Sequence, residues 1–284
     1  MSWFWIFIAV VLAPIPLAFL LDESADLEVT RHRVGEGNGP GVRIVQVSDL
    51  HPKPGAKVTE RTLEALRQEP HELLIFTGDM VDDRRKLPLL EDFLARLPPN
   101  DAPRYAILGN WEPWGGMKPE EMRQLYQRHG VTLLVNESTV VKGPWGEFLL
   151  VGLDDLLGGV PDWGKATARH GDWRGPTLLL AHNPDTRDVL RSQGVFSPEG
   201  TGRPPPDRLW MLSGHTHGGQ IAPFGLHLDP VTRNKPYVAG WYRENGPPLF
   251  ISRGVGSTVL PIRIGARPEV AVFQWRFSGG PSPP

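Results

Sequence analysis

Val42-Arg43-Ile44-Val45-Gln46-Val47-Ser48-Asp49-Leu50-His51 is an apolar, β-branched run that stops on a carboxylate and an imidazole. Such a run reads as a buried strand. The residues after it, Val58 to Arg67, place Leu63 and Leu66 at helical spacing, so the unit is strand, polar turn, helix. The unit recurs: Glu72 to Thr77 precedes Gly78-Asp79 and a helix near Leu87 to Leu97, and Tyr105 to Leu108 precedes Gly109-Asn110 and a helix near Pro119 to His129. Buried strands alternating with amphipathic helices predict a layered α/β fold. Shorter strands separated by Gly and Pro turns follow at Thr139 to Val141, Phe148 to Val151, Thr177 to Ala181, Leu209 to Leu212, Leu249 to Ser252 and Val270 to Phe273. Two packed sheets with helices outside are expected.

Five strands each end in a motif of ligand-type residues: Asp49-Leu50-His51, Gly78-Asp79-Met80-Val81-Asp82, Gly109-Asn110-Trp111-Glu112, Ala181-His182-Asn183 and Gly214-His215-Thr216-His217-Gly218-Gly219. In open α/β sheets, functional groups gather beyond the carboxyl ends of strands, so these five loops are expected to meet. In Asp-x-His and His-x-His, an extended backbone would send both side chains to one side. A lone His or Asp after a strand is ordinarily a turn or cap residue; the case rests on the set. Of nine histidines, four lie in these motifs. His32, His71, His129, His170 and His227 read as surface or structural, and Asp82 and Asp83 as loop and helix cap.

Composition narrows the chemistry. The 284 residues fit one α/β domain with a leader. Thirty Lys and Arg face 32 Asp and Glu with no dense basic run, which argues against a nucleic-acid partner. There is no cysteine, which excludes disulfides, thiolate metal sites and cysteine nucleophiles. Any metal is held by nitrogen and oxygen donors, a set suited to Mn, Fe, Zn or Mg.

From Trp3 to Leu21, 19 consecutive residues carry no charge. As a helix they would extend roughly 28 Å, close to a bilayer core. Pro14 and Pro16 would kink it, and Trp3 and Trp5 suit an interfacial belt. A cleaved signal peptide is the alternative, but no basic region precedes the run and no small-x-small site precedes Asp22, so an uncleaved single-pass anchor is expected. Arg31 and Arg33 favour a cytoplasmic catalytic domain. The expected organisation is anchor 1–21, linker 22–41, catalytic domain 42–275 and disordered tail 276–284.

Across about 42 to 275 these residues resemble the calcineurin-like metallophosphoesterase family. The motif Gly214 to Gln220, together with Ser252-Arg253-Gly254-Val255-Gly256, Leu260-Pro261-Ile262-Arg263 and Arg267-Pro268-Glu269, is similar to its transmembrane-anchored branch. That branch includes phosphodiesterases and UDP-2,3-diacylglucosamine pyrophosphatases of lipid A synthesis. The resemblance implies a four-layer αββα sandwich with one N-terminal transmembrane helix. It implies two divalent ions, Mn favoured: one at Asp49, His51, Asp79 and His217, the other at Asp79, Asn110, His182 and His215, bridged by Asp79. An ion pair of this kind activates a water for in-line attack on phosphorus without a protein nucleophile.

One residue departs from the family pattern. Where a His that assists the leaving group is usual, this chain has Trp111, followed by Glu112. Trp cannot supply that proton, so pyrophosphate or activated diester bonds, whose leaving groups need it least, are the expected substrates. Asp79, Asn110, Glu112 and Arg253 are the expected catalytic residues; Arg253 would hold a phosphate or sugar oxygen unless it is structural, with Lys53, Arg84 and Arg85 behind it. Trp111, Pro113 and Trp114 would wall a base or acyl chain, or simply pack beside the site. The expected partners are a phosphorylated small-molecule or lipid substrate and the membrane, with no obligate protein partner. The alternatives are a phosphomonoesterase or protein phosphatase, and a catalytically weakened membrane scaffold.

Overall fold

The first element lies where a linker was expected. The computed structural model describes residues 22–37, 41–196, 208–226 and 236–277, and in it Glu28–Val34 forms strand β1. β1 pairs in parallel with the last strand, from Glu28 opposite Glu269 to Val34 opposite Trp275. Leu27, Val29 and Val34 pack on the core while Glu28, Arg31 and Arg33 face solvent. An edge strand needs only this partial apolar side, and its interspersed charges hide it from a pattern search.

The remaining strands are β2 Val42–Val47, β3 Leu73–Thr77, β4 Arg104–Ile107, β5 Val131–Leu133, β6 Glu137–Gly143, β7 Gly146–Gly152, β8 Thr177–Leu180, β9 Leu209–Ser213, β10 Gly240–Tyr242, β11 Leu249–Ile251 and β12 Glu269–Trp275. The helices are α1 Lys57–Gln68, α2 Leu87–Ala95, α3 Trp111–Trp114, α4 Pro119–Arg128, α5 Trp163–Thr167 and α6 Thr186–Ser192. One six-stranded sheet runs β1-β12-β2-β3-β4-β5 and the other β10-β11-β9-β8-β7-β6. Both are mixed: β2 to β5 are parallel, as are β7, β8, β9 and β11, while β12 against β2, β6 against β7 and β10 against β11 are antiparallel.

Alternation along the strands distributes the core in three layers. Ile44, Ile75 and Ile107 meet Phe148, Leu150, Leu178 and Leu212 between the sheets. Val45, Leu74 and Phe76 turn the other way and take Leu63, Leu66, Phe93 and Met122 of α1, α2 and α4. Leu149, Leu179 and Met211 pack under Trp163 and Leu190 of α5 and α6. The order is helix, sheet, sheet, helix, and both parallel strand sets point their carboxyl ends to one edge.

The expected tail starts too early. Arg276 donates its amide to Val34, and Phe277 packs on Trp145, Phe148 and Trp275. The expected anchor, 1–21, lies outside the described residues, as do 38–40 of the expected linker and 278–284 of the expected tail. Among the described residues no helix is long and apolar enough to cross a membrane.

Candidate metal centre

Five loops meet at that edge. Asp49 and His51 follow β2, Asp79 follows β3 and Asn110 follows β4, all in the first sheet; His182 follows β8, and His215 and His217 follow β9, in the second. Each of these residues except His215 is almost completely buried. The backbone there is not extended, as the Asp-x-His and His-x-His spacing had suggested. Asp49, His51, Asp79, His215 and His217 all have positive φ, between 38° and 74°. A left-handed conformation at a non-glycine residue costs on the order of 1–3 kcal/mol and persists only where surrounding structure fixes it.

What fixes it is a web of cross-loop hydrogen bonds. The Asp49 amide donates to Gly78 O at 3.0 Å, the Gly256 amide donates to Asp49 O at 2.7 Å, and the Trp111 amide donates to the Asp79 carboxylate at 2.8 Å. The His215 amide reaches both Asp49 oxygens, at 3.0 and 3.2 Å. Two glycines make room for this: a β-carbon at position 109 would strike the Asp79 carboxylate, and one at position 214 would strike Ser48 and Asp49.

The side chains form two donor groups, Asp49-His51-His217 and Asp79-His182-His215, the donor atoms of each lying within 4.8 Å of one another. Asp79 faces both: its Oδ2 is 3.0 Å from His182 Nε2 and 3.7 Å from His51 Nε2. Asn110 Oδ1 is 2.9 Å from His215 Nδ1. His182 Nδ1–H donates to Thr77 O at 2.8 Å, which turns the Nε2 lone pair inward. The Nε2 atoms of His51, His182 and His217 are buried with no hydrogen-bond partner. In folded proteins the large majority of buried side-chain polar atoms are paired. Orphaned imidazole nitrogens facing carboxylates fit divalent cations.

The electrostatics of the group are divided. Burial raises Asp49. Burial also opposes ionisation of Asp79, but His182 beside it holds that carboxyl below its usual range. Burial opposes the charged form of His182 as well, yet Asp79 and Asp49 hold it well above the ordinary imidazole value. Burial, and then His182, push His215 down to about 4; burial, and then His51 and Arg263, push His217 far down. Neutral imidazoles and ionised carboxylates are the states that ligate metals; Asp79, His215 and His217 lean toward them, whereas Asp49 and His182 lean toward the proton-bound form that a cation would displace.

Two groups behind the ligands escaped sequence reasoning. Arg263 is fully buried, donating to Gly256 O at 2.8 Å and Ala266 O at 2.9 Å, and its Nη2 lies 3.0 Å from His217 Nδ1. It packs against the His217 ring from behind. Asp82, expected as a loop residue, sits 3.7 Å from His51 Nδ1 and pairs with Lys86 at 2.7 Å, so it backs a ligand. Asp83 is the expected cap, accepting from the Arg85 amide.

Two of the expected catalytic residues make bracing contacts. Glu112 spends its oxygens on the amides of Asp79, Met80 and Gly109, at 3.2, 2.7 and 2.8 Å, tying the β3 and β4 loops together. Arg253 Nη2 donates to Glu28 at 2.8 Å and Glu269 at 3.3 Å, a partner set that includes the unexpected strand β1, so one arm of its guanidinium is tied to carboxylates. Arg84 and Arg85 are likewise occupied, by Glu121 and Asp83. Lys53 lies near the site with its ammonium 3.5 Å from Thr258 O.

Residues 42–219 match the family described as calcineurin-like phosphoesterase. The chain belongs to this family. It is 32% identical over 267 residues to phosphodiesterase YaeI of Escherichia coli K12, covering 89% of each chain. It is 30% identical to the metallophosphoesterase YkuE of Bacillus subtilis, over 87% of this chain and 85% of that one. It is 27% identical to a zebrafish transmembrane protein with metallophosphoesterase domain, over 86% of this chain and 55% of that one. The protein is thus a metal-dependent phosphoesterase, with two candidate metal sites in its loop edge.

The calcineurin-like centre opens into a cleft of about 360 Å³, whose lining includes the polar Asn110, His215 and His217 and the apolar Trp111, Trp114, Leu157 and Val259. The Trp111 ring meets His51 edge-on at 6.0 Å and Trp114 at 5.7 Å. A ring with no acid stands against the metal centre.

Proposed function

We propose that this metallophosphoesterase cleaves a phosphodiester or pyrophosphate bond in a substrate bearing an apolar group, with a membrane lipid precursor of the UDP-2,3-diacylglucosamine kind as the leading candidate. The observation that carries the reading is Trp111 on the cleft wall next to Asn110, where a protonating side chain would otherwise stand. Without that acid, leaving groups that depart as stable anions are favoured. Asp79 faces both donor groups and would be shared; Asp49, His51 and His217 would complete one site, and Asn110, His182 and His215 the other. Two divalent ions there, manganese for preference, would supply an activated water and neutralise phosphoryl charge. Arg263 and Asp82 would hold His217 and His51 in position, and Glu112 the loops of Asp79 and Asn110. The name of the Escherichia coli relative, phosphodiesterase, supports the bond class, and that of the zebrafish relative supports membrane attachment through the apolar run 3–21.

The test is turnover of bis-p-nitrophenyl phosphate, p-nitrophenyl phosphate and UDP-2,3-diacylglucosamine with added Mn²⁺, beside an Asp79→Asn control. Diester or pyrophosphate turnover lost in the control is expected. Turnover of the monoester alone would replace the reading with a phosphatase, and turnover of none with a scaffold.

A further inference from the structure

Among the described residues the exposed large hydrophobics are Trp114, Leu157, Val160, Phe224, Leu226, Val259 and Leu260. Scattered apolar surface residues need no explanation, but these are not scattered. Every one lies in a segment that follows the carboxyl end of a parallel strand: Trp114, at the end of α3, after β4, Leu157 and Val160 after β7, Phe224 and Leu226 after β9, Val259 and Leu260 after β11. They therefore crown the edge that holds the metal centre. The opposite edge carries charged tips such as Lys142 and Glu147.

The exposure is built in. Asp155 accepts the amides of Leu157 and Gly158, each at 2.7 Å, folding a turn that projects Leu157. Phe224 is 102% exposed and sits at φ 54°, a conformation unfavourable for a bulky residue, with its ring in solvent. The Ala222 amide donates to Ile264 O at 2.7 Å, joining the Phe224 turn to the segment that carries Val259 and Leu260.

The uncharged run Trp3 to Leu21 enters the described protein at this same edge. Asp22 accepts the Arg263 amide at 3.0 Å, and the Glu23 amide donates to Arg263 O at 2.8 Å. Asp22, the residue that follows the apolar run in sequence, is thus held three residues from Leu260.

We propose that this edge rests on a lipid bilayer, with Phe224, Leu226, Val259 and Leu260 seated among the headgroups, so that the cleft over the metal centre opens at the membrane surface and receives substrate from it. Aromatic and aliphatic loop tips ringing a site, beside an apolar tether, are the composition that partitions into a bilayer interface. The inference rests on the membrane reading given above and adds an orientation to it.

Because the chain has no cysteine, single labels report depth directly. Phe224→Cys, Leu260→Cys and, on the opposite edge, Glu147→Cys are made in the full chain, labelled with a polarity-sensitive fluorophore and mixed with phosphatidylethanolamine/phosphatidylglycerol vesicles containing a nitroxide lipid. Labels at 224 and 260 are expected to shift to the blue and quench several-fold more than the label at 147. If the protein floats with the vesicles but all three labels quench alike, the docked orientation is wrong and attachment alone survives. If it does not float, the attachment and the orientation fall together.

Discussion

Asp79 is the residue on which both candidate metal sites depend, since its Oδ2 faces His182 and His51 at once. Asp79→Asn is expected to leave purified protein with neither ion, whereas His182→Ala should keep the ion of the Asp49-His51-His217 group; metal-to-protein ratios by elemental analysis read the difference, and an Asp79→Asn protein still holding two ions would end the bridging role. Trp111→His restores a proton donor beside Asn110. Since general acid catalysis contributes about 10²- to 10⁴-fold, the gain should reach roughly 10²-fold for alkoxide-like leaving groups and shrink toward none for nitrophenolate. A uniform gain across a leaving-group series would show that the residue governs something other than protonation. Arg263→Met leaves His217 Nδ1 without its guanidinium neighbour, and the variant should lose metal first from the Asp49-His51-His217 group, read in a chelator titration.

At the scale of elements, the strand-end loops hold together through Glu112, whose removal strips acceptors from three buried amides. An unsatisfied buried donor costs about 1–3 kcal/mol, and with partial relaxation Glu112→Leu is expected to lose about 3–5 kcal/mol in denaturant unfolding. A change below about 0.5 kcal/mol, the size of an ordinary surface substitution, would contradict the brace. This role was not legible in the sequence, where Glu112 reads only as an acid beside a motif. The candidate ligands were legible because each follows an apolar strand, so that strand register delivers them to one edge. Strands β2, β7 and β12 were legible as dense apolar runs. Strand β1 was not, because an edge strand buries only one thin side, and its carboxylate Glu28 accepts from Arg253. Short α3, α5 and α6 escaped as well, since four to seven residues give too little periodicity to detect.

For the molecule as a whole, the centre is a junction: Asp49, His51, Asp79 and Asn110 come from one sheet and His182, His215 and His217 from the other. Ions held there would tie the sheets at their loop edge and offset both the left-handed backbone at five ligands and the buried carboxylates Asp49 and Asp79. Binding only to the folded state adds about 2.7 kcal/mol when free ligand is a hundredfold above its dissociation constant. For a domain of this size each kcal/mol moves the melting temperature by roughly 2–4 °C, so stripping each ion should lower Tm by about 5–10 °C. Calorimetry of metal-loaded and chelator-treated protein should therefore show two steps of loss in the native chain and one in His182→Ala, which starts with a single ion. The Asp79→Asn protein, holding none, should not respond to chelator. A native Tm unmoved after elemental analysis confirms that both ions are gone would mean that the two sheets carry their junction without them, and that the strain at the ligands is compensated by the Glu112 and Arg263 contacts instead.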